Sequence, residues 1–302
     1  MTRASKGTTT PTRVRPQGRT GSDHVSATAP EREPLDVAQI LAEGDLDLIG
    51  QIRSASNATL VCDAVLGDDR VRCVYKPVRG EQPLWDFPDG TLAGREVASF
   101  LISDALGWSV VPVTLLRDGQ FGPGMVQRWI DTPEPTDALP ARLDLVDLCS
   151  PDLIPEGWKL ILSAIDGRGE DVALVHADDP RLQRMAVLDV LINNADRKGG
   201  HVLEGLDGQV YGVDHGICLH TEDKLRTVLW GWANQPIPAH LIDDVEGLVR
   251  SLEQASSPLR ERLTDLITPA EIDALSERAM VMVADPVMPD ANRSRPIPWP
   301  AF

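Results

Sequence analysis

The stretch that decides the fold of this chain is Asp196-Arg197-Lys198-Gly199-Gly200-His201, followed further on by Asp214-His215-Gly216. Each of the two acidic residues comes after an apolar run, at 185–192 and at 210–213. Phosphoryl transfer uses such a pair of loops. One carboxylate orients the attacking hydroxyl, and the other holds the magnesium that bridges the nucleotide phosphates. Because Asp is also a common turn former, the prediction depends on finding a lysine, its acidic partner and a phosphate-binding loop elsewhere.

The lysine and its partner are present in the first half of the chain. Lys76 ends a β-branched, alternating run, and Pro77 directly after it fits a strand end or edge. A lysine at this place would contact the α- and β-phosphates, and Glu96, at the start of a predicted helix, would pair with it. The alternative is a solvated strand lysine and a glutamate placed for its favourable charge near a helix N-terminus.

Two further segments complete the predicted nucleotide site. Ser54-Ala55-Ser56-Asn57-Ala58 joins two predicted strands, and its small residues would let backbone N–H groups surround a phosphate. We therefore assign Ser54, Ser56 and Asn57 to the phosphates, with a plain hairpin turn as the alternative. Gln127 and Trp129 end the last strand before a Pro-rich connector, where an adenine edge would meet free backbone groups.

The predicted elements are typical of an α+β protein with two lobes. They are a helix at 35–43, strands at 46–53, 59–66 and 71–78, a helix at 95–106, strands at 110–116 and 124–130, and helices at 180–193, 239–254 and 268–283. This order predicts a protein-kinase-like fold, with a small antiparallel-sheet lobe carrying one helix and a mainly helical second lobe. The predicted boundaries are a basic arm at 1–34, a nucleotide-binding N-lobe at 35–131 and a C-lobe at 132–302.

Composition limits the possible partners and location. The 302 residues are 42% hydrophobic, and no apolar run approaches the roughly 20 residues of a membrane helix. The first 30 residues lack the apolar core of a secretory signal, and the four cysteines show no metal-binding spacing. We therefore expect a cytoplasmic protein with no integral membrane association and with reduced thiols in its core.

Charge excludes one class of partner. The net charge of −17 argues against nucleic acid, which is bound by clustered Lys and Arg, but not against ATP. Residues 1–20 differ from the rest, with five basic residues and no acidic one. We expect a disordered, solvated arm there, with a weak membrane or nucleic-acid tether as the alternative.

With these residues in place, the chain resembles the phosphatidylinositol 3- and 4-kinase family, and within it a group of short actinobacterial kinase-like proteins. Asp196-Arg197-Lys198 resembles the family's Asp-Arg-His signature, and Asp214-His215-Gly216 resembles its Asp-Phe-Gly motif; the resemblance spans about 46–238. It implies that Asp196 is the catalytic base and that Asp214 ligates the metal. Lys76 would contact the phosphates with support from Glu96, and Ser54, Ser56 and Asn57 would cover them.

Three positions depart from the family pattern. Lys198 replaces the signature His, His215 replaces the Phe, and His201 stands where kinases carry a metal-binding Asn. Imidazole is a nitrogen ligand while magnesium prefers oxygen, so a second metal residue at His201 makes manganese an alternative to magnesium.

The sequence thus predicts an ATP-dependent phosphotransferase whose acceptor is a hydroxyl of a protein or small molecule. A lipid acceptor is less expected, because the segment between Gly216 and Pro236 has only two basic residues, Lys224 and Arg226. One alternative is a nucleotide-binding pseudokinase that serves as a scaffold. The other is a metal-dependent hydrolase whose ligands would be Asp196, His201, Asp214, His215 and His220.

Overall fold

The computed structural model describes residues 36–52, 57–87, 91–133 and 143–302, which form an α+β protein with antiparallel sheets. The helices are α1 (Val37–Glu43), α2 (Leu92–Ala105), α3 (Pro180–Leu191), α4 (Ala239–Glu253), α5 (Pro258–Thr264) and α6 (Pro269–Ala284). The strands are β1 (Asp45–Gln51), β2 (Leu60–Leu66), β3 (Asp69–Pro77), β4 (Thr114–Gly119), β5 (Gly122–Arg128), β6 (Val146–Cys149), β7 (Lys159–Ile165), β8 (Asp171–His176), β9 (Val202–Glu204) and β10 (Val210–Gly212).

The first half is built on a five-stranded antiparallel sheet in the order β1-β2-β3-β5-β4. Strands β2 and β3, both predicted, form a hairpin in which Leu66 pairs with Asp69 and Gly67 adopts a φ of 63°. A two-residue hairpin turn needs positive φ values, which glycine adopts without a steric cost. This turn sets the register of β2 on β3, in which Tyr75 pairs with Leu60. On the other edge of β3, Lys76 pairs with Met125 of β5.

Helix α1 packs on this sheet through its apolar side. Its buried residues Ile40 and Leu41 join a small hydrophobic cluster with side chains from β2, β3 and β5. The other members of the cluster are Leu60, Cys62, Ala64, Cys73, Tyr75 and Val126. Because this cluster occupies one side of β3, the other side is available for the candidate site.

Helix α2 belongs to a second, larger cluster, although it comes between strands of the first sheet. Val97, Leu101 and Ile102 on α2 pack with buried residues of α3, α4 and α6. The two clusters, with the sheet first and most helices afterwards, confirm the predicted α+β class and agree with the two-lobed arrangement of a protein-kinase-like fold. The predicted lobe boundary at 131–132 stays a prediction, and the predicted basic arm lies outside the described residues.

Several predicted elements differ in detail from the structure. Helix α2 begins at Leu92, not at Arg95, because the Thr91 Oγ1 accepts the Gly94 N–H at 2.9 Å and caps the helix there. Strand β4 begins at Thr114, after Pro112, since proline cannot donate to a strand ladder. The second half also contains a three-stranded sheet, β6-β8-β7, and helix α5, none of which was predicted.

Candidate active site

Lys76 lies at the end of β3, on the opposite side of the sheet from Tyr75. Tyr75 is buried in the small cluster, and successive side chains of a strand point to opposite faces. The Lys76 Nζ lies 2.6 Å from the Glu96 Oε1 and 2.8 Å from the Asp214 Oδ1. The lysine therefore joins β3 to helix α2 and to the loop that follows β10.

Glu96 lies in the second turn of α2 and is buried. One carboxylate oxygen binds Lys76, and the other accepts the His215 N–H at 3.0 Å. Glu96 thus holds the lysine and the backbone next to Asp214 at the same time. This is the pairing that the sequence predicted for it, with an additional contact to the second acidic loop.

Asp214 follows β10 in a left-handed backbone conformation, with a φ of 62°. Asp tolerates this region better than most residues, and such conformations often occur at functional sites. The turn directs the next N–H, that of His215, to Glu96. The Asp214 side chain is 51% exposed, so its carboxylate stays accessible beside the lysine.

Electrostatics keep Lys76 and Asp214 charged at neutral pH. Burial alone would lower the pKa of Lys76, but the neighbouring Glu96 and Asp214 outweigh it and raise that pKa above its ordinary value. Burial alone would raise the pKa of Asp214, but Lys76 and His201 outweigh it and lower that pKa. An ion pair therefore lies at the centre of the site.

Asp196 lies on the other acidic loop, beyond the end of α3. Its N–H donates to the Asn194 Oδ1 at 2.9 Å, and its Oδ2 lies 3.3 Å from the Lys198 Nζ. Burial raises the pKa of Asp196, with a smaller contribution from Asp214 and an opposing one from Lys198. A carboxylate with a raised pKa holds a transferred proton better than an ordinary one does.

A buried network below Asp196 fixes its loop. The Arg197 guanidinium binds the Asp189 carboxylate at 2.9 Å, and both side chains are fully buried. Asp189 also accepts from Thr227 and Asn194, at 3.0 and 2.9 Å. Asp189 was not among the predicted site residues, although a charged residue inside the apolar run at 185–192 was a signal, since a buried charge needs a partner.

His215 belongs to this network and not to a metal site. Its Nε2 lies 2.6 Å from the Arg197 Nη2, and because guanidinium only donates, the imidazole nitrogen accepts. Burial, followed by the charge of Arg197, lowers the pKa of His215 far below its ordinary value. His220 lies apart from it, with its Nδ1 accepting the Glu222 N–H and its ring against Phe87. These placements do not support the predicted hydrolase centre.

His201 and Asp214 are the side chains that could hold a metal ion. The His201 Nε2 lies 3.4 Å from the Asp214 Oδ2, and burial lowers the pKa of His201 to about 4, so its imidazole is neutral at neutral pH. In the described part of the chain, no group of three His, Cys, Asp or Glu side chains converges on one point. Two donors fit an ion that takes its remaining ligands from phosphates and water, as magnesium usually does.

The residues assigned to the nucleotide are only partly described. Ser54 and Ser56 lie outside the described residues. The Asn57 Oδ1 accepts the Gln82 N–H at 2.9 Å, which joins this loop to the segment after β3. Gln127 faces the same side of the sheet as Lys76. It pairs across the strands with Val74, as Met125 pairs with Lys76, and Val74 and Lys76 are two residues apart on β3.

The two residues predicted for the adenine site both make contacts within the chain. The buried Gln127 amide donates to the Thr114 Oγ1 at 2.8 Å. Trp129, half-buried, lies just past β5, and its N–H donates to the Arg72 carbonyl at 2.9 Å. Both stand near the strand end where the sequence placed them, and their role towards a nucleotide stays a prediction.

Gly199 of the candidate catalytic loop lies against the segment 296–302. The Gly199 N–H donates to the Ala301 carbonyl at 2.8 Å, and a Cβ at Gly199 would overlap the Phe302 ring. The Pro296 carbonyl accepts the Thr227 N–H and the Trp230 Nε1, at 3.0 and 2.8 Å. The contact of this Pro-rich segment with the loop was not predicted.

Comparisons with known proteins give one close relative. No protein-family model matches the chain. The chain is 56% identical over 270 residues to protein Rv2133c of Mycobacterium tuberculosis (strain ATCC 25618 / H37Rv), and the alignment covers 88% of this chain and 96% of that protein. The phosphatidylinositol-kinase resemblance therefore rests on the quoted motifs.

One solved structure is also similar to the chain. The crystal structure of the Helicobacter pylori proinflammatory kinase CtkA matches with a TM-score of 0.39 and 13% identity, over 80% of this chain and 98% of that one. Among the helices in the described ranges, none combines the length and the apolar character needed to cross a membrane.

Proposed function

The chain belongs to the same family as protein Rv2133c of Mycobacterium tuberculosis, and we propose that it is an ATP-dependent phosphotransferase. It would transfer the γ-phosphoryl group of ATP to a hydroxyl of a protein or small molecule. The observation that carries the proposal is the position of the Lys76 Nζ, 2.6 Å from Glu96 and 2.8 Å from Asp214. A lysine, its buried glutamate and an exposed aspartate in contact are the groups that bind and neutralise nucleotide phosphates in this chemistry.

Asp196 is the proposed base. Its carboxylate would orient the acceptor hydroxyl and take its proton as the bond to phosphorus forms. The raised pKa of Asp196 favours this role, because a base is most efficient when its pKa approaches the working pH. Lys198, 3.3 Å from Asp196, adds a cation where the transferred phosphoryl group would carry negative charge.

Asp214 is the proposed metal ligand, with His201 beside it. Its Oδ1 binds Lys76, while its Oδ2 lies near His201 and remains available to an ion. A bound magnesium or manganese ion would neutralise charge on the nucleotide phosphates. The residues at 35–131 form the proposed nucleotide-binding lobe, with Ser54, Ser56 and Asn57 over the phosphates and Gln127 and Trp129 near the adenine.

Charge favours a protein or small-molecule acceptor over a lipid. Lys224, one of the two basic residues between Gly216 and Pro236, lies 3.3 Å from Asp86 and 3.6 Å from Glu222. Its charge is therefore compensated within the chain, and the chain as a whole is acidic. An anionic membrane surface would attract such a segment weakly.

One observation favours a second candidate, nucleotide binding without turnover. The proposed metal ligand Asp214 is already hydrogen-bonded to Lys76, and the described residues bring no group of three His, Cys, Asp or Glu side chains to one point. An ion would have to compete with the lysine for this carboxylate. A scaffold that binds a nucleotide without transferring phosphate would show binding but no ADP formation.

A thermal-shift titration with ATP tests the proposal. The parent protein, Lys76→Ala and Asp214→Ala are compared with magnesium, with manganese and without metal, since a ligand that binds only the folded state raises the melting temperature. Lys159→Ala is the matched control, because Lys159 is similarly shielded and pairs with Asp178 at 3.0 Å. We expect a metal-dependent rise in the parent and control that is lost in both site variants. No rise in the parent with either metal would overturn nucleotide binding.

ADP formation then separates the two candidates. We expect Asp196→Ala to abolish it while keeping the metal-dependent shift, since Asp196 acts on the acceptor hydroxyl or on water and not on the nucleotide. A parent that binds ATP but forms no ADP with any acceptor tested supports the scaffold. Unchanged turnover in both Asp196→Ala and Asp214→Ala would show that these residues are wrongly assigned.

A further inference from the structure

Helix α2 carries two neighbouring charged residues that serve different parts of the molecule. Consecutive residues of a helix point about 100° apart, so Arg95 and Glu96 cannot face the same partner. Glu96 reaches Lys76 and the His215 N–H, as described above. Arg95 points into the larger hydrophobic cluster and is 1% exposed.

Arg95 joins three separate segments. Its Nη2 lies 2.6 Å from the Glu271 Oε1, and its Nη1 donates to the Cys218 carbonyl at 2.9 Å. Its guanidinium carbon lies 5.1 Å from the centroid of the Phe87 ring. Cys218 follows Asp214 by four residues. This side chain of α2 therefore contacts the segment before α2, the segment after the Asp214 loop and the start of α6.

Glu271 is held as firmly as Arg95. It lies in the first turn of α6, where its Oε2 accepts the Thr268 N–H at 2.8 Å and the Thr268 hydroxyl at 3.0 Å. This is a capping box, in which the side chains of Thr268 and Glu271 satisfy each other's backbone N–H groups. The carboxylate therefore has little freedom to follow a moving Arg95.

The backbone of α2 also approaches this region closely. A Cβ at Gly94 would lie 2.8 Å from the Leu266 carbonyl oxygen, in the connection between α5 and α6. Glycine at this place lets the helix lie against backbone. Arg95, one residue on, then reaches Glu271 directly.

We propose that the Arg95–Glu271 ion pair fixes the position of α2 and thereby keeps Glu96 on Lys76 without any partner protein or modification. Arg95 and Glu271 are positioning residues, since neither contacts the site. Separating the pair would leave the buried Glu271 carboxylate without its cation, which is strongly unfavourable. A shift of α2 away from Lys76 is therefore suppressed. This inference rests on the proposed function only in taking Lys76 as the phosphate-binding lysine.

The test measures the environment of Lys76 directly. The protein is treated with N-acetoxysuccinimide, which acylates the neutral amine, and the labelling rate of Lys76 is followed by peptide mass spectrometry. Lys159 provides the reference rate in the same sample. The variants are Glu271→Gln, which removes one charge at constant shape, and Arg95→Lys. The lysine keeps the positive charge but cannot bind Glu271 and the Cys218 carbonyl at the same time as the guanidinium does.

We expect Lys76 to be labelled about tenfold faster in both variants, because the amine then loses its hydrogen bond to the Glu96 carboxylate, and a bond to a charged group contributes enough free energy for a factor of ten. The control is Leu248→Ala, which creates a cavity in the larger cluster on α4. It is compared with Glu271→Gln at a temperature where the two variants have the same folded fraction. In the control, the ratio of Lys76 to Lys159 labelling should equal that of the parent. An equal rise in the control, or no rise in either pair variant, would overturn the proposal.

A double variant identifies the route. Since Arg95 acts through Glu96, adding Glu271→Gln to Glu96→Gln should raise Lys76 labelling no further than Glu96→Gln alone. A multiplicative increase would mean that Glu271 acts on Lys76 by another path, which contradicts the proposal. Because the labelling needs no nucleotide, its result is independent of whether ATP binds, and a failed ATP titration leaves it interpretable.

Discussion

At the scale of single residues, the candidate catalytic loop depends on a glycine that faces an aromatic ring. Gly199 lies between Lys198, beside the proposed base, and Gly200, and its N–H donates to the Ala301 carbonyl. A side chain at Gly199 would occupy the place of the Phe302 ring, whereas a Cβ at Gly200 would meet nothing within 4 Å. A methyl group therefore fits at Gly200, whereas at Gly199 it requires the Phe302 ring to move.

Gly199→Ala should lower the free energy of unfolding by about 1 kcal/mol, the low end of overpacking costs, because Phe302 is 44% exposed and its ring can shift. Gly200→Ala is the matched control and should be close to neutral. Denaturant unfolding measures both. Phe302→Ala removes the obstacle, so adding Gly199→Ala to it should cost almost nothing. Equal costs for the two glycine variants would show that the Phe302 contact is not the cause.

The residues of the site that sequence could predict are those in short local motifs. Lys76 ends an alternating strand, and Asp196 and Asp214 each follow an apolar run, so their placement needs only the adjacent sequence. The ion pair between Arg95 and Glu271 could not be predicted. Its partners lie in different halves of the chain, and only the packing of α2 on α6 brings them together.

At the scale of elements, the start of α2 is fixed by a residue outside the helix. The Glu81 carboxylate, in the segment after β3, accepts the N–H groups of Leu92 and Ala93 at 3.0 and 2.8 Å. These are among the N–H groups that a helix leaves unpaired at its N-terminus, where a negative charge is also favourable. Glu81 therefore connects the strand that carries Lys76 to the helix that carries Glu96.

Glu81→Ala should destabilise the protein by about 1–2 kcal/mol, since two hydrogen bonds to a charged acceptor are lost at a helix N-terminus. Glu43→Ala is the control, because Glu43 is exposed in the last turn of α1. Denaturant unfolding gives the difference, and hydrogen exchange at the first amides of α2 gives its location. Faster exchange confined to other elements would contradict the capping role.

The elements that were not predicted are those whose apolar residues do not recur at a regular spacing. Strand β8 has four consecutive apolar residues, Val172 to Val175, and strand β7 contains an irregularity between Leu160 and Leu162 that interrupts its alternation. An apolar run that does not alternate cannot be assigned to a strand or a helix from its pattern. The long helices α3, α4 and α6 were predicted because their periodicity and their prolines near the first turn are local signals.

At the scale of the whole molecule, a buried histidine makes the fold sensitive to acid. His176, at the end of β8, is fully buried; its Nε2 accepts the Gly231 N–H at 3.1 Å, and its ring lies 4.5 Å from that of Trp232. Burial lowers the pKa of His176 to about 4. The neutral imidazole therefore joins the three-stranded sheet to the turn at Trp230–Trp232. This turn follows the two candidate acidic loops in the sequence.

Stability should fall as the pH decreases from about 6.5 to about 4. In this window the unfolded chain binds a proton at His176 that the folded chain does not, so stability is retained above pH 6.5 and lost towards the folded pKa. The contribution of this residue is up to about 1.4 kcal/mol per pH unit. Urea unfolding at pH 7, 6, 5 and 4.5 measures it, and His176→Gln, which does not titrate, should give a shallower slope. Identical slopes would place the acid sensitivity elsewhere.

The attachment of α2 to α6 has a consequence for how the chain is made. A ribosome releases β1, β2, β3 and α2 long before it releases Pro269–Ala284, the helix that supplies Glu271. Until then, Arg95 lacks the Glu271 carboxylate, and the apolar side of α2 has little to cover it. Nascent chains therefore expose apolar surface that the folded chain buries. Contacts between residues so distant in sequence also slow folding. The pairing of Lys76 with Glu96 is therefore completed late in synthesis, and a chain interrupted before α6 lacks the ion pair that fixes it.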